Sequence, residues 1–268
     1  MKVFRKFLLV LLLCCYSILL KAQSSGENSP QISKILDSMT LEEKVSLCAG
    51  RSGGPNGLNG VPRLHIPALR LTDGPRGPNA QVGTTAFPCG VLFGSTWNPS
   101  IVQSAGKVMG EETRALGCSI LLGPGINILR DPLGGRFFEY YTEDPFLNSA
   151  IAVAQIKGVQ SEGVSACAKH YVCNNREQNR NFYMSVVDDR SLHEIYLPAF
   201  KAAVQQAHVG AIMTAANGCN YDFVSDSRKM LTDILKDRWG FSGLVMTDWL
   251  QTRTTEKAAF AGLDISMP

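Results

Sequence analysis

Downstream of residue 60, short apolar runs that end in polar residues alternate with longer amphipathic stretches. The runs cover 68–71 into Thr72-Asp73-Gly74, 90–94, 119–123, 165–168 into Lys169-His170, 211–213 into Thr214, 243–247 into Asp248, and 262–265. Between them, apolar residues at helical spacing predict helices over 99–116, 148–162, 191–206, 227–239 and 252–260. Upstream, Ile32, Ile35, Leu36, Met39, Leu41 and Val45 give helical periodicity over 32–47, with Thr40 as an N-cap before Leu-Glu-Glu. A strand–helix alternation of roughly 25–45 residues argues for a parallel sheet covered by helices. With about seven strands, an α/β single domain of the (β/α)8 TIM-barrel type fits better than an open sheet. No G-x-G-x-x-G follows the first strand, which removes the main support for a dinucleotide fold.

The start of the chain has a different pattern. Arg5-Lys6 is followed by an apolar run of about 14 residues, Phe7 to Leu20, and then by polar Gln23-Ser24-Ser25. A basic start, an apolar run of this length and a small residue at Ala22 predict a secretory signal peptide over 1–22, hence an exported, periplasmic or extracellular protein. The run is short of the ~20 residues that span a bilayer. Leu12-Leu13 before Cys14-Cys15 lacks the small residue that lipoprotein processing prefers. Residues 23–31 form a polar tether, and 32–268 the barrel domain.

Composition changes little in this picture. The 268 residues are 45% apolar and 18% charged, with a formal charge of +3. Four of the 26 basic residues lie in the leader, leaving 22 against 23 acidic ones, so no nucleic-acid partner is called for. Six of the eight cysteines follow the leader, at 48, 89, 118, 167, 173 and 219. No C-x-x-C occurs, and the four histidines form no zinc-ligand spacing with them. They read as small buried hydrophobes. No cofactor or metal is expected.

Chemistry gathers at strand ends. In a (β/α) barrel, polar residues at the C-terminal ends of several strands converge on one pocket, and Asp73, Arg136, Lys169, His170 and Asp248 are placed to do so. A carboxylate closing a buried strand, as Asp248 does, needs a cation or a chemical purpose, although an Asp after a strand is also a common helix N-cap. Asp73 lies in Leu71-Thr-Asp-Gly-Pro-Arg-Gly77, which also suits a structural turn. Lys169 and His170 at one strand end demand acceptors, and the hydroxyls of a sugar would meet that demand. The stretch from Leu122 to Pro145 mixes Gly, Pro, Arg, acids and aromatics without periodicity. A loop of that length inside a domain usually has a functional reason. Arg130, Arg136, Glu139, Glu143 and Asp144 are expected to include a buried ion-pair network.

Five elements in order resemble glycoside hydrolase family 3, in its β-glucosidase-like branch. They are the 122–145 stretch, Asp73-Gly74-Pro75-Arg76-Gly77, Lys169-His170-Tyr171, Met213-Thr214-Ala215-Ala216-Asn217, and the run from Gly240 to Trp249. Ala261-Gly262-Leu263-Asp264-Ile265-Ser266-Met267-Pro268 is similar to the family's final barrel strand. The resemblance implies a retaining hydrolase of terminal β-D-glucosyl or related β-glycosyl residues, with Asp248 as the nucleophile. It implies that Asp73, Arg136, Lys169 and His170 hold the hydroxyls of the −1 sugar, with Met213 and Trp249 lining the subsite. Charge from Lys169 and Arg136 would then keep Asp248 ionised. Two departures stand out. Ala216 replaces a tyrosine common in relatives, which widens the sugar site or removes a hydrogen bond. The branch also takes its acid/base Glu from a second α/β sandwich domain, expected beyond Pro268, and the in-barrel His loop of the hexosaminidase branch is absent after Lys169-His170. Glu177 is the nearest in-chain acid and a poor candidate. The alternative expectation is a barrel that binds sugar without turning it over.

Overall fold

The computed structural model describes residues 29–51, 56–79 and 82–268. The predicted leader and most of the tether lie outside them. No described helix is long and apolar enough to cross a membrane.

Two compact units are present, dividing after Lys44. The first holds α1 (Pro30–Ser38) and the start of α2 (Leu41–Leu47). The periodicity over 32–47 thus belongs to two helices. The break has a local cause: Thr40 Oγ1 accepts from the Glu43 N–H, and Glu43 Oε2 accepts from the Thr40 N–H at 2.9 Å. This reciprocal capping box starts a new helix.

From Val45 onward the unit is built on a curled six-stranded sheet. Its strands are β1 (Gly57–Leu58), β2 (Leu69–Asp73), β3 (Ile120–Leu122), β4 (Ser165–Tyr171), β6 (Ala211–Thr214) and β9 (Leu244–Met246), in that order. β1 is antiparallel to β2, and the remaining pairs are parallel. Single bridges continue from Met246 to Ile265, from Ser266 to Ala49 and from Gly50 to Leu58. The expected strand over 262–265 is therefore one bridged position and not a ladder. A small second sheet joins β5 (Met184–Ser185), β7 (Gly218–Cys219) and β8 (Asp222–Phe223). Strands of two residues leave no periodic trace in a sequence.

Alternation along the strands sorts the core into two parts. Leu71, Ile120, Leu122, Cys167, Ala211, Met213 and Met246 pack together on one face of the sheet. Leu121, Ala166, Ala168, Ile212 and Val245 belong to the other core, with the helices. Those helices are α3 (Gly90–Ser95), α4 (Pro99–Ala115), α5 (Pro145–Gln160), α6 (Pro198–Gln205), α7 (Lys229–Arg238, wound with wide i→i+5 turns) and α8 (Thr255–Ala261). α4 and α5 both start with proline after a capping side chain, Asn98 and Asp144 respectively.

The run 90–94, expected as a strand, is helical. An apolar run of that length does not reveal its period, and the packing decides it. A Cβ on Gly90 would come within 2.5 Å of the Glu139 carbonyl oxygen. The bare glycine lets α3 press against the segment that carries Arg136 and Glu139.

Register positions the site. Asp73 pairs with Leu122, Leu121 with Ala166, Cys167 with Ala211, and Ala211 with Leu244. Read across, Lys169 and Met213 lie about two residues past the level of Asp73 and Asp248 about four, the stagger of a curling sheet. Between Ala168 and Tyr171 the register of β4 is irregular, and consecutive Lys169 and His170 lie within that irregularity.

Candidate active site

Asp73 ends β2 with its side chain half exposed, and its Oδ1 lies 3.4 Å from Lys169 Nζ. Asp73, Lys169, Arg136 and Glu139 line one cavity of about 480 Å3 together with residues 74–79 and 84–86. Arg136 grips Glu139 in a forked pair, with Nη2 donating to Oε1 at 2.8 Å and to Oε2 at 3.0 Å. That fork fixes the guanidinium plane. It leaves Nη1 buried and without a hydrogen-bond partner, 3.8 Å from Glu177.

His170 and Asp248 face each other outside that cavity's lining. His170 Nε2 is 3.8 Å from Asp248 Oδ2. Tyr140 Oη is 2.8 Å from His170 Nδ1 and accepts from Asn174 Nδ2 at 3.0 Å. Burial pushes the Tyr140 phenol up, so it keeps its proton. With the amide already donating to its oxygen, that proton is directed at Nδ1, and the imidazole carries its own hydrogen on Nε2, toward Asp248. Burial, reinforced by Arg136, Lys169 and Arg180, holds His170 well below the ordinary histidine range. The imidazole is neutral.

The two oxygens of Asp248 differ. Oδ1 accepts from the N–H of the next residue, Trp249, at 2.8 Å. Oδ2 is buried without a hydrogen bond. The cation beside it is Arg180, whose Nη1 lies 3.4 Å from Asp248 Oδ2 and 3.1 Å from Glu177 Oε2. This corrects the expectation that Lys169 and Arg136 flank Asp248: Lys169 is taken up by Asp73, and Arg136 by Glu139. Arg136, Glu177, Arg180 and Asp248 form a line of alternating charge that links the cavity to the carboxylate. Glu177 Oε1 also accepts from Asn174 Nδ2 at 3.1 Å, so both of its oxygens are engaged.

Met213 is buried in the interior cluster, with Trp249 packed partly against it. Ala216 is buried, and its carbonyl accepts from Arg253 Nη2 at 3.4 Å. The same nitrogen donates to Asn181 O and Gln251 Oε1, and the guanidinium stacks over Phe223 at 4.5 Å. Arg253 thereby ties the segments after β4, β6 and β9 together.

Of the five charges expected to share an ion-pair network, only Arg136 and Glu139 pair with each other. Asp144 caps α5 instead, and Arg130 lies over the Tyr196 ring. Arg180, Tyr140 and Asn174 are site residues that sequence reasoning passed over. For Asn174 and Arg180 the signal was the density of forked polar side chains in Asn174-Asn175-Arg176-Glu177-Gln178-Asn179-Arg180 just after a strand end, and Tyr140 lies in the irregular 122–145 stretch. Among the described residues, no group of three His, Cys, Asp or Glu side chains is placed to hold a metal ion.

The chain is 44% identical to a beta-glucosidase of Rhizobium radiobacter over 243 residues, which are 88% of this chain and 30% of that one. It is 42% identical to thermostable beta-glucosidase B of Acetivibrio thermocellus over 88% of this chain and 33% of the relative. Among solved structures, beta-glucosidase 3B from Thermotoga neapolitana in complex with alpha-D-glucose superposes with a TM-score of 0.85 at 40% identity, covering 89% of this chain and 36% of that one. A beta-glucosidase from Streptomyces venezuelae in complex with D-glucose matches at the same TM-score and identity, over 90% and 31%. The chain therefore spans about a third of the length of the relatives it matches. Residues 59–268 match the glycosyl hydrolase family 3 N terminal domain, and the chain belongs to that family.

Proposed function

We propose that this chain is the nucleophile-bearing barrel domain of an exported, retaining β-glucosidase. The observation that carries the proposal is the asymmetry of Asp248: one oxygen is tethered by the Trp249 N–H, and the other is buried, bare of hydrogen bonds and flanked by Arg180. A carboxylate oxygen kept in that state is suited to attack an anomeric carbon, giving a glycosyl-enzyme ester that water then opens. Asp73, Lys169, Arg136 and His170 Nε2–H present acceptors and donors for the hydroxyls of the bound sugar, while Met213 and Trp249 offer apolar surface to its ring. Beta-glucosidases among the relatives support a β-glucoside substrate. The bridges from Met246 to Ile265, from Ser266 to Ala49 and from Gly50 to Leu58 support reading the curled sheet as a (β/α)8-type barrel.

A retaining enzyme needs a second carboxyl as acid/base. Glu177 is a poor one, because its two oxygens are already taken up by Arg180 and Asn174, with Arg136 Nη1 3.8 Å away. The acid/base is proposed to come from a further domain, consistent with the share of the relatives this chain covers.

Kinetics of the chain alone test the reading. General acid help is worth roughly 10²–10⁴-fold. The chain should therefore hydrolyse cellobiose very poorly, yet turn over a dinitrophenyl β-glucoside, whose leaving group needs no proton. Efficient cellobiose hydrolysis would place an acid/base inside the chain. Binding of glucose with no turnover of either substrate would favour the sugar-binding alternative.

A further inference from the structure

Cys173 and Cys219 lie 46 positions apart in the chain, yet their sulfurs are 3.7 Å from each other. Neither is oxidised in the structure. Both backbones are fixed by the same neighbour. Ser185 of β5 donates its hydroxyl to the Cys173 carbonyl at 3.0 Å, and Ser185 is the ladder partner of Cys219 in β7. The Asn220 N–H adds a bond to the Ser185 carbonyl at 2.7 Å. The sulfurs therefore meet because the backbone brings them there. Closing to a bond of about 2.05 Å asks each sulfur to move by less than about 1 Å.

The two thiols differ in access. Cys173 is fully buried, and burial pushes its thiol well up. Cys219 lines a cavity of about 460 Å3 with Asn220, Asp222, Ser227 and Lys229. Contact with the Cys173 thiol and the charge of Lys229 lower the Cys219 thiol, against the opposing effect of burial. One partner is thus the more readily ionised and reachable from the cavity, and the other waits behind it, the arrangement of an attacking and a resolving thiol.

We propose that Cys173 and Cys219 are joined by a disulfide when the chain meets a thiol-oxidising environment, as the leader expected over 1–22 would bring about. The oxidant is a disulfide, either that of a thiol oxidoreductase or oxidised glutathione. The Cys219 thiolate attacks one oxidant sulfur and releases the other as a thiol, forming a mixed disulfide. Cys173 then loses its proton and attacks the Cys219 sulfur, releasing the second oxidant thiol. Two cysteines are oxidised and one disulfide is reduced to two thiols. The crosslink ties the small sheet to the segment that starts at Cys173 and carries Asn174, Glu177 and Arg180.

Full-length chain equilibrated with oxidised glutathione, then denatured, alkylated and digested, tests this by mass spectrometry. The expected result is a peptide pair crosslinked through Cys173 and Cys219, with both positions lost to alkylation. In Cys173→Ser, Cys219 should stop at the glutathione adduct. In Cys219→Ser, Cys173 should remain alkylatable. Recovery of both cysteines as free thiols while exposed Cys48 is blocked would overturn the proposal, as would either one crosslinked to a different cysteine.

Discussion

Asp73 closes β2 and Asp248 lies two residues past the end of β9, and the two carboxylates live differently. The Asp73 side chain is 54% exposed and shares its charge with Lys169; the Asp248 side chain is 12% exposed, with one oxygen tethered and the other bare. Solvent can reach Asp73, so it can release and regain hydroxyl partners at little cost. Asp248 is desolvated, which makes its free oxygen the stronger nucleophile, and a cation is needed to keep it there. One residue type near two strand ends thus sits in two environments, and the roles proposed for the two differ accordingly.

The comparison breaks first at Asp248. Asp248→Asn should lower turnover of an aryl β-glucoside by at least about 10³-fold, since an amide cannot form the ester and a lost nucleophile is the costliest change in an active site. Asp73→Asn should cost about 10- to 100-fold, the worth of a charged hydrogen bond of about 1.5–3 kcal/mol. If the two variants fall equally, the division of roles is wrong.

Each carboxylate also has its own cation. Removing Arg180 as Arg180→Met should cost about 10-fold or more in kcat, with Arg180→Lys recovering part of it, because the loss leaves a buried carboxylate uncompensated. Tyr140→Phe removes one neutral bond to His170 and should cost only a few-fold, at about 0.5–1.5 kcal/mol. Steady-state kinetics on the same aryl substrate rank these effects.

The smallest effect is on stability. Burial holds His170 neutral in the fold. Below about pH 6.5 the unfolded chain binds a proton at this ring that the folded chain refuses. The folded state therefore loses stability as pH falls from about 7 toward 5. Thermal unfolding at both pH values should show a drop in Tm, and a smaller one in His170→Asn.

Much of this was legible in the sequence, for identifiable reasons. The parallel strands β2, β3, β4, β6 and β9 announce themselves because each is an apolar run between turn-formers, three of them running into residues of the proposed site. The run 90–94 misleads because a short apolar run carries no period of its own, and the close approach of Gly90 to the Glu139 backbone is a tertiary fact. Lys169, His170 and Asp248 stand out as polar groups closing buried strands. Arg180 does not, because its importance lies in facing a carboxylate 68 residues away. Which of several charges in a loop finds which partner is decided by three-dimensional distance, and composition holds no record of it.

The central claim is that Asp248 bonds to the sugar. Incubating the chain with a dinitrophenyl 2-deoxy-2-fluoro-β-glucoside, which slows release of the sugar more than its capture, and digesting the product should place one fluoroglucosyl group on Asp248, absent in Asp248→Asn. A label on any other carboxylate, or an undiminished label in the Asn variant, would contradict the account.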